Sequence, residues 1–268
     1  MDRAQRYAQK KKRRGGGFFP AQVSAIKAWL RLAASTAVSA EWETVVDVLN
    51  SNPAAQTDAD RKPAAATSAN SLPVATFDGT DVWVWPIAAS NHSTDKWEIL
   101  LWIKPASLGA AQRVFACDTS GGASLNRIRV TISATGTVDV LVFISNADGR
   151  QFSTPAVISA ASWAFIRVAY NSSATNEADT DGLTADAKVR VFVGGAARAL
   201  TGANVGAGGT IGALRTATGS NVVGAANDSD TPVSPLLNGG QTGPNIWIAN
   251  AVLTTAEATN LQSFEAPT

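Results

Sequence analysis

The chain has 268 residues, long for one domain but within the range of single β-sandwiches, and long enough to bury a core without disulfide staples. Apolar residues make up 45% and charged residues 16%, against a usual charged share of about 25%, which excludes an intrinsically disordered body. The net charge of +1 conceals a division: residues 1–17 carry seven Lys or Arg against one Asp, and the remainder carries 15 basic against 20 acidic residues.

The single cysteine, Cys117, excludes an intramolecular disulfide framework. No apolar h-region follows the basic start, so no secretory signal is expected. No run approaches the roughly 18 apolar residues that a membrane-spanning helix needs, so no membrane partner is expected.

In chain order, residues 1–17 form a basic arm ending in Gly15-Gly16-Gly17. Like charges repel and glycine adds freedom, so the arm gains order by lodging in a partner. From Phe18 to Leu32 a lead-in segment spaces Val23, Ile26, Trp29 and Leu30 in a way that permits a short helix or a turn followed by a strand. Residues 50–73, rich in Ala, Thr, Asp, Asn, Pro and Ser, read as an extended connection. Residues 18–73 are therefore taken as lead-in and connection, and residues 74–268 as the globular body.

Alternation of apolar and polar residues predicts strands over Asp81–Ile87, Trp97–Lys104, Arg113–Cys117, Arg127–Ser133, Thr137–Ile144, Ser162–Tyr170, Lys188–Val193 and Asn245–Val252. Turn clusters separate them, with long connections at 171–187 and 194–220. Short strands without intervening helical patterns predict an all-β antiparallel sandwich rather than βαβ units. Near the end, Thr254 and Glu257 fit a capping box that opens a helix of about two turns.

The order of segments resembles concanavalin A-like, laminin-G-like jelly-roll domains. Phe77-Asp78-Gly79-Thr80 is similar to their opening, Trp102-Ile103-Lys104-Pro105 to their W-(I/V)-K-P strand, and Trp163 through Val168-Ala169-Tyr170 to a later strand. Phe192-Val193-Gly194-Gly195 resembles their YVNG hairpin, and Leu253-Thr254-Thr255-Ala256-Glu257 their closing helix. With the lead-in Trp29-Leu30-Arg31-Leu32-Ala33, the whole resembles the form found in tailed-phage virion proteins, although Arg31 stands where those carry Asp.

The resemblance implies a non-enzymatic structural or adhesive protein at the phage particle surface, a capsid decoration or tail-fibre component. Its arm would anchor to other virion proteins, its body would form a homo-oligomer, and a host-surface glycan is a further candidate partner. A free carbohydrate-binding module is the alternative, and a glycoside hydrolase of the same fold the third reading. Glucanases of this fold share an E-x-D-x-x-E strand with two glutamates on one face. Here Glu177-Ala178-Asp179-Thr180-Asp181-Gly182 ends in glycine and lies in a polar loop, which argues against hydrolysis.

The anchoring candidates are Arg3, Arg6, Lys10, Lys11, Lys12, Arg13 and Arg14. They suit an acidic groove on a protein partner, phosphate neutralisation on nucleic acid, or a solubilising role. No aromatic interleaves them, which disfavours base stacking, and nucleic acid is not the expected partner. Trp83 and Trp85 share one strand face, with Val82 and Val84 on the other, so core, interface and glycan contact are all open for them. Trp102 and Trp163 match core positions of the resembling family. No cofactor is expected beyond calcium, for which the candidate ligands are Asp179, Asp181 and Asp186, with Asn227, Asp228 and Asp230 a smaller cluster. His92, the one histidine, sits in a polar turn.

Overall fold

The computed structural model describes residues 18–50, 52–56, 58–86, 94–118, 126–145, 148–214, 221–224, 226–228, 231–233 and 239–268. Two sheets pack face to face. The first runs, in spatial order, Asn176–Ala178, Ala187–Val193, Ala164–Asn171, Lys96–Lys104, Gly240–Ala249, Pro73–Phe77 and Ala64–Thr67. Ile26–Arg31 also pairs with Gly240–Ala249, and Ala196–Arg198 with Ala187–Val193. The second runs Thr201–Val205, Gly149–Ser153, Val138–Phe143, Asn126–Ile132, Gln112–Asp118, Asn221–Val223, Trp83–Trp85, Ala54–Ala55 and Thr44–Val45. Pairing is antiparallel within both, apart from the parallel pair Asn176–Ala178 with Ala187–Val193. The expected all-β sandwich with a C-terminal helix is the fold observed.

The strands form where β-branched and aromatic residues alternate with polar ones. Ile99, Leu101 and Ile103 face the inter-sheet core from one side, and Val130, Ile132, Val138 and Val140 from the other, all fully buried. Phe192-Val193-Gly194-Gly195 is the hairpin that the sequence suggests: both glycines have positive φ (62° and 84°), and Val193 pairs with Ala196.

The division at residue 74 is corrected. Residues 26–31 and 64–67 belong to the first sheet, and residues 44–45 and 54–55 to the second, so the lead-in is woven into the body. Residues 20–22 form a 3-10 turn and residues 26–31 a strand, which settles the choice left open there.

The first sheet is covered on its outer face as well. Phe19, Trp29, Leu100, Phe165, Trp247, Leu261 and Phe264 make a second apolar cluster, and the rings of Phe19, Trp29 and Phe264 meet edge to face at 5.2–6.2 Å. The helix Thr255–Ser263 closes this layer, opened by the expected capping box: Thr254 Oγ1 accepts the Glu257 amide while Glu257 Oε2 accepts the Thr254 amide. A buried ion pair clasps its start. Glu98 accepts the Leu253 amide at 2.7 Å, Arg167 donates to the Leu253 carbonyl at 2.6 Å, and Glu98 and Arg167 bond each other. Burial pushes the Glu98 carboxyl up to about 7 against the pull of Arg167. Among the described residues no helix is long and apolar enough to cross a membrane.

Candidate functional site

The chain changes sheets between Phe77 and Trp83. Asp78-Gly79-Thr80-Asp81 makes the turn, with Gly79 at φ 99°, where a Cβ would be strained. The turn is closed by its own carboxylates. Asp78 Oδ1 accepts the amide and hydroxyl of Thr80, each at 2.8 Å, and Asp81 Oδ2 accepts the Asp78 amide at 2.8 Å. The Val82 amide donates to the Arg61 carbonyl at 3.0 Å, which ties the turn to the 3-10 turn Ala59–Arg61.

This crossover lines a pocket of about 330 Å³ at the seam of the two sheets. Glu41, Asp60, Asp78 and Asp81 line it together with Phe77, whose side chain is fully buried. Lys62, Ala64, Thr76 and Gly239 complete it. Glu41 is delivered by a tight hairpin in which Val38 and Glu41 exchange both backbone hydrogen bonds, each 2.9 Å. The two central residues, Ser39 and Ala40, stand at φ 52° and 63°, a strained choice where Asn-Gly is the relaxed one.

The pocket is electronegative. Lys62 donates to Glu43 Oε2 at 3.1 Å, so its charge is already matched outside the pocket lining. Hydrogen bonding from the Thr80 amide holds the Asp78 carboxyl below its ordinary value. Burial, with the charges of Asp78 and Glu41 adding to it, pushes Asp81 up to about 6. Two neighbouring carboxylates are thus driven apart in acidity.

The residues singled out from sequence lie elsewhere. Of the readings open for Trp83 and Trp85, the structure takes the core, against the ligand or interface role: both are fully buried between the sheets. Trp83 meets Phe77 edge-on at 5.3 Å and donates its indole N–H to the Trp42 carbonyl at 3.0 Å. Trp102 and Trp163 are half-buried, Trp102 packing against Phe165 in the outer cluster.

The calcium triad is corrected too. Asp179 is fully buried beside Arg190, 3.5 Å away, and its Oδ1 accepts the Thr184 amide; Asp181 caps the amides of Leu183 and Thr184 at 2.8 Å. Asp186 accepts instead from the Thr175 amide. Their oxygens shape the loop, and among the described residues no three acidic, His or Cys side chains group as a metal shell. The arm residues Arg3, Arg6, Lys10, Lys11, Lys12, Arg13 and Arg14, His92, and the side chains of Asn227, Asp228 and Asp230 lie outside the described residues.

Sequence reading passed over Glu41, Asp60 and Asp81. The available signal was the pair of aspartates flanking Gly79-Thr80, but the pocket needs residues 41, 60 and 239, which only the fold brings to it.

No family model and no curated protein sequence matches the chain. Among solved structures it superposes on Trypanosoma rangeli sialidase with a TM-score of 0.56 and 14% identity, over 89% of this chain and 32% of that one. The same sialidase in complex with the inhibitor DANA gives a TM-score of 0.57 and 14% identity, over 96% of this chain and 37% of that one. A carbohydrate-binding module of Ruminococcus gnavus sialidase, bound to α2,3-sialyllactose, matches more loosely at TM-score 0.48 and 14% identity, over 65% of this chain and 86% of that one. The chain spans about a third of the length of the T. rangeli sialidase.

The likenesses to T. rangeli sialidase show a shared β-sandwich fold, compatible with the concanavalin A-like resemblance, and include no virion protein. They also correct the expectation of a non-enzymatic module: the structures that share this architecture over most of the chain are those of enzymes, so the fold gives no ground for excluding catalysis.

Proposed function

We propose that the protein is a carbohydrate-recognising β-sandwich that binds a neutral or amino-substituted sugar in the pocket at the Phe77–Asp81 crossover. The observation that carries this reading is a concave site of about 330 Å³ lined by Glu41, Asp60, Asp78 and Asp81. Carboxylate oxygens accept charge-assisted hydrogen bonds from sugar hydroxyls, and an ammonium substituent would add Coulomb attraction. The sialidase-like fold supports the ligand class. An anionic sugar such as the sialic acid held by T. rangeli sialidase would meet like charge here, so the ligand differs. Glycan-array binding by the full chain and by Asp78→Asn tests this: neutral or amino glycans should bind the native chain and bind the variant at least several-fold more weakly. Equal binding by both, or binding of sialylated glycans alone, contradicts it.

A second reading, hydrolysis of a glycosidic bond, is favoured by the opposed acidities of Asp78 and Asp81. A carboxyl raised to about 6 can hold a proton for a leaving group, while its depressed neighbour stays ionised. Sugar release from a polysaccharide panel, lost in Asp81→Asn with binding retained, is the expected result; no release from any substrate removes this reading and leaves the first.

The cationic arm is the proposed anchor to a larger particle, a phage virion being the setting that the motif order suggests. Seven basic residues within 17 suit an acidic groove on a partner. Deleting residues 2–17 should abolish incorporation while leaving thermal unfolding unchanged; normal incorporation refutes the anchor.

A further inference from the structure

The acidic pocket borders the face of the first sheet from which the basic arm leaves. Glu41, Ala64, Thr76 and Gln241 stand opposite one another across neighbouring segments of that sheet. Ala75 and Phe77 enter the inter-sheet core, so Thr76 between them points outward, and Gln241 meets its hydroxyl on that face at 3.0 Å. The same outer face carries the cluster in which Phe19 packs with Trp29 and Trp247, with Phe18 against it. Residues 1–17 lead directly into Phe18.

The span between the two places can be read from the strand Gly240–Ala249. Gly240 pairs with Phe77 at the pocket, and Trp247, seven residues on, pairs with Trp29 at the anchored end. At about 3.3 Å per residue the separation is roughly 23 Å. Arg14 precedes Phe18 by four residues and Lys10 by eight, so an extended arm carries them out to about 14 and 27 Å. Lys10–Arg14 thus bracket the distance to the pocket, and Gly15-Gly16-Gly17 supply the freedom to turn towards it. The charges also match. Four carboxylates line the pocket, and Lys62 beside them is engaged by Glu43. Asp81 is only 5% exposed; its Oδ2 accepts the Asp78 amide, and among the described residues no hydrogen-bond donor reaches its other oxygen.

We propose that the basic arm docks in the acidic pocket of its own chain, Lys10–Arg14 lying over Glu41, Asp60, Asp78 and Asp81, and so competes with the pocket's ligand. The arm is the occupant because its charge complements the carboxylates, it leaves on the pocket's own face and its length fits the span. Tethering sets its local concentration in the millimolar range, which fills a site whose separate ion pairs are individually weak. The competition rests on the reading of the pocket as a sugar site; the docking does not. A partner with a stronger acidic groove would draw the arm off and open the pocket.

A nitroxide attached to Gln9→Cys in the full chain tests the docking, since the native Cys117 is buried. The label should broaden the backbone amides of Glu41, Asp60 and Phe77–Asp81 in dilute buffer and release them in about 1 M salt, where the Debye length is about 3 Å. Replacing Lys10, Lys11, Lys12, Arg13 and Arg14 together by Gln should release the same amides and raise the affinity for neutral or amino sugars several-fold. A label that leaves those amides sharp, or broadens them equally in high salt, overturns the docking. Broadening passed from a spin-labelled chain to a separate nitrogen-15 chain would put the arm on a second copy and overturn the same-chain assignment. Equal sugar affinity in the native chain and the Gln variant overturns the competition. Failure of both to bind any sugar counts against the sugar reading alone, because the nitroxide judges the docking without a ligand.

Discussion

Asp81 folds back on Asp78: its Oδ2 accepts the Asp78 backbone amide at 2.8 Å, which buries one carboxylate directly behind its more exposed neighbour. The cost is electrostatic. Burial and the nearby charges raise Asp81 from 3.8 to about 6, so the folded state binds this proton more tightly than the unfolded chain does. The stabilisation is present below about pH 4 and is lost as pH rises through about 6. Asn at position 81 keeps an oxygen for the Asp78 amide but cannot ionise. Urea midpoints measured from pH 4 to 7 should therefore fall for the native chain relative to Asp81→Asn, with the difference levelling above about pH 6. A constant difference would show that Asp81 does not titrate in that window.

Gly224 packs tightly against Phe77. It stands at φ 87°, and a Cβ there would lie 2.4 Å from Phe77 Cε1 and 3.2 Å from the Asp81 carbonyl oxygen. Phe77 is fully buried and cannot swing clear into solvent. Gly224→Ala should lower stability by about 2–3 kcal/mol, combining backbone strain with overpacking. Thermal unfolding that matches the native chain would contradict this contact.

The Val38–Glu41 hairpin holds two residues with side chains in a conformation that suits glycine and asparagine. Replacing Ala40 with Gly should relax it and raise stability by about 1 kcal/mol, near the lower end of the strain expected for such a residue. The prediction is read from the denaturant midpoint; a lowered midpoint would mean that the added chain entropy outweighs the strain relieved.

Glu98 accepts the backbone N–H of Leu253 and Arg167 donates to its C=O, just ahead of the helix. Glu98→Ala strands the buried Arg167 charge and should cost about 3–5 kcal/mol, Arg167→Ala leaves a carboxyl that takes up a proton and should cost less, and the double variant should cost clearly less than their sum. Full additivity in the denaturation cycle would show that the pair is not coupled.

The sheets were legible where one face met the core and the other met polar surroundings, as in Val138–Phe143 and Ala187–Val193, whose burial alternates over part of their length. Ile26–Arg31 was ambiguous for a physical reason. Ala28 and Leu30 enter the inter-sheet core while Trp29 enters the outer cluster, so burial on both faces erases the period of two. Thr201–Val205 was missed because an exposed edge of small polar residues carries no apolar pattern. Trp83 and Trp85 looked available because their neighbours were apolar too, and it is the second layer of packing, invisible in a local pattern, that buries them. The Thr254–Glu257 cap was readable because its two residues are close in sequence. The pocket was not, since Glu41, Asp60 and Gly239 reach Asp78 only through the crossover of the chain between sheets.

The most direct test is an NMR titration of the full chain with neutral, amino-substituted and sialylated saccharides, following the backbone amides. Shifts concentrated at Glu41, Asp60 and Phe77–Asp81 with neutral or amino sugars, absent with sialylated ones and lost in Asp78→Asn, are the expected result. Saturating shifts confined to another surface, or no response of those amides to any saccharide, would contradict the assignment of this pocket as a sugar site.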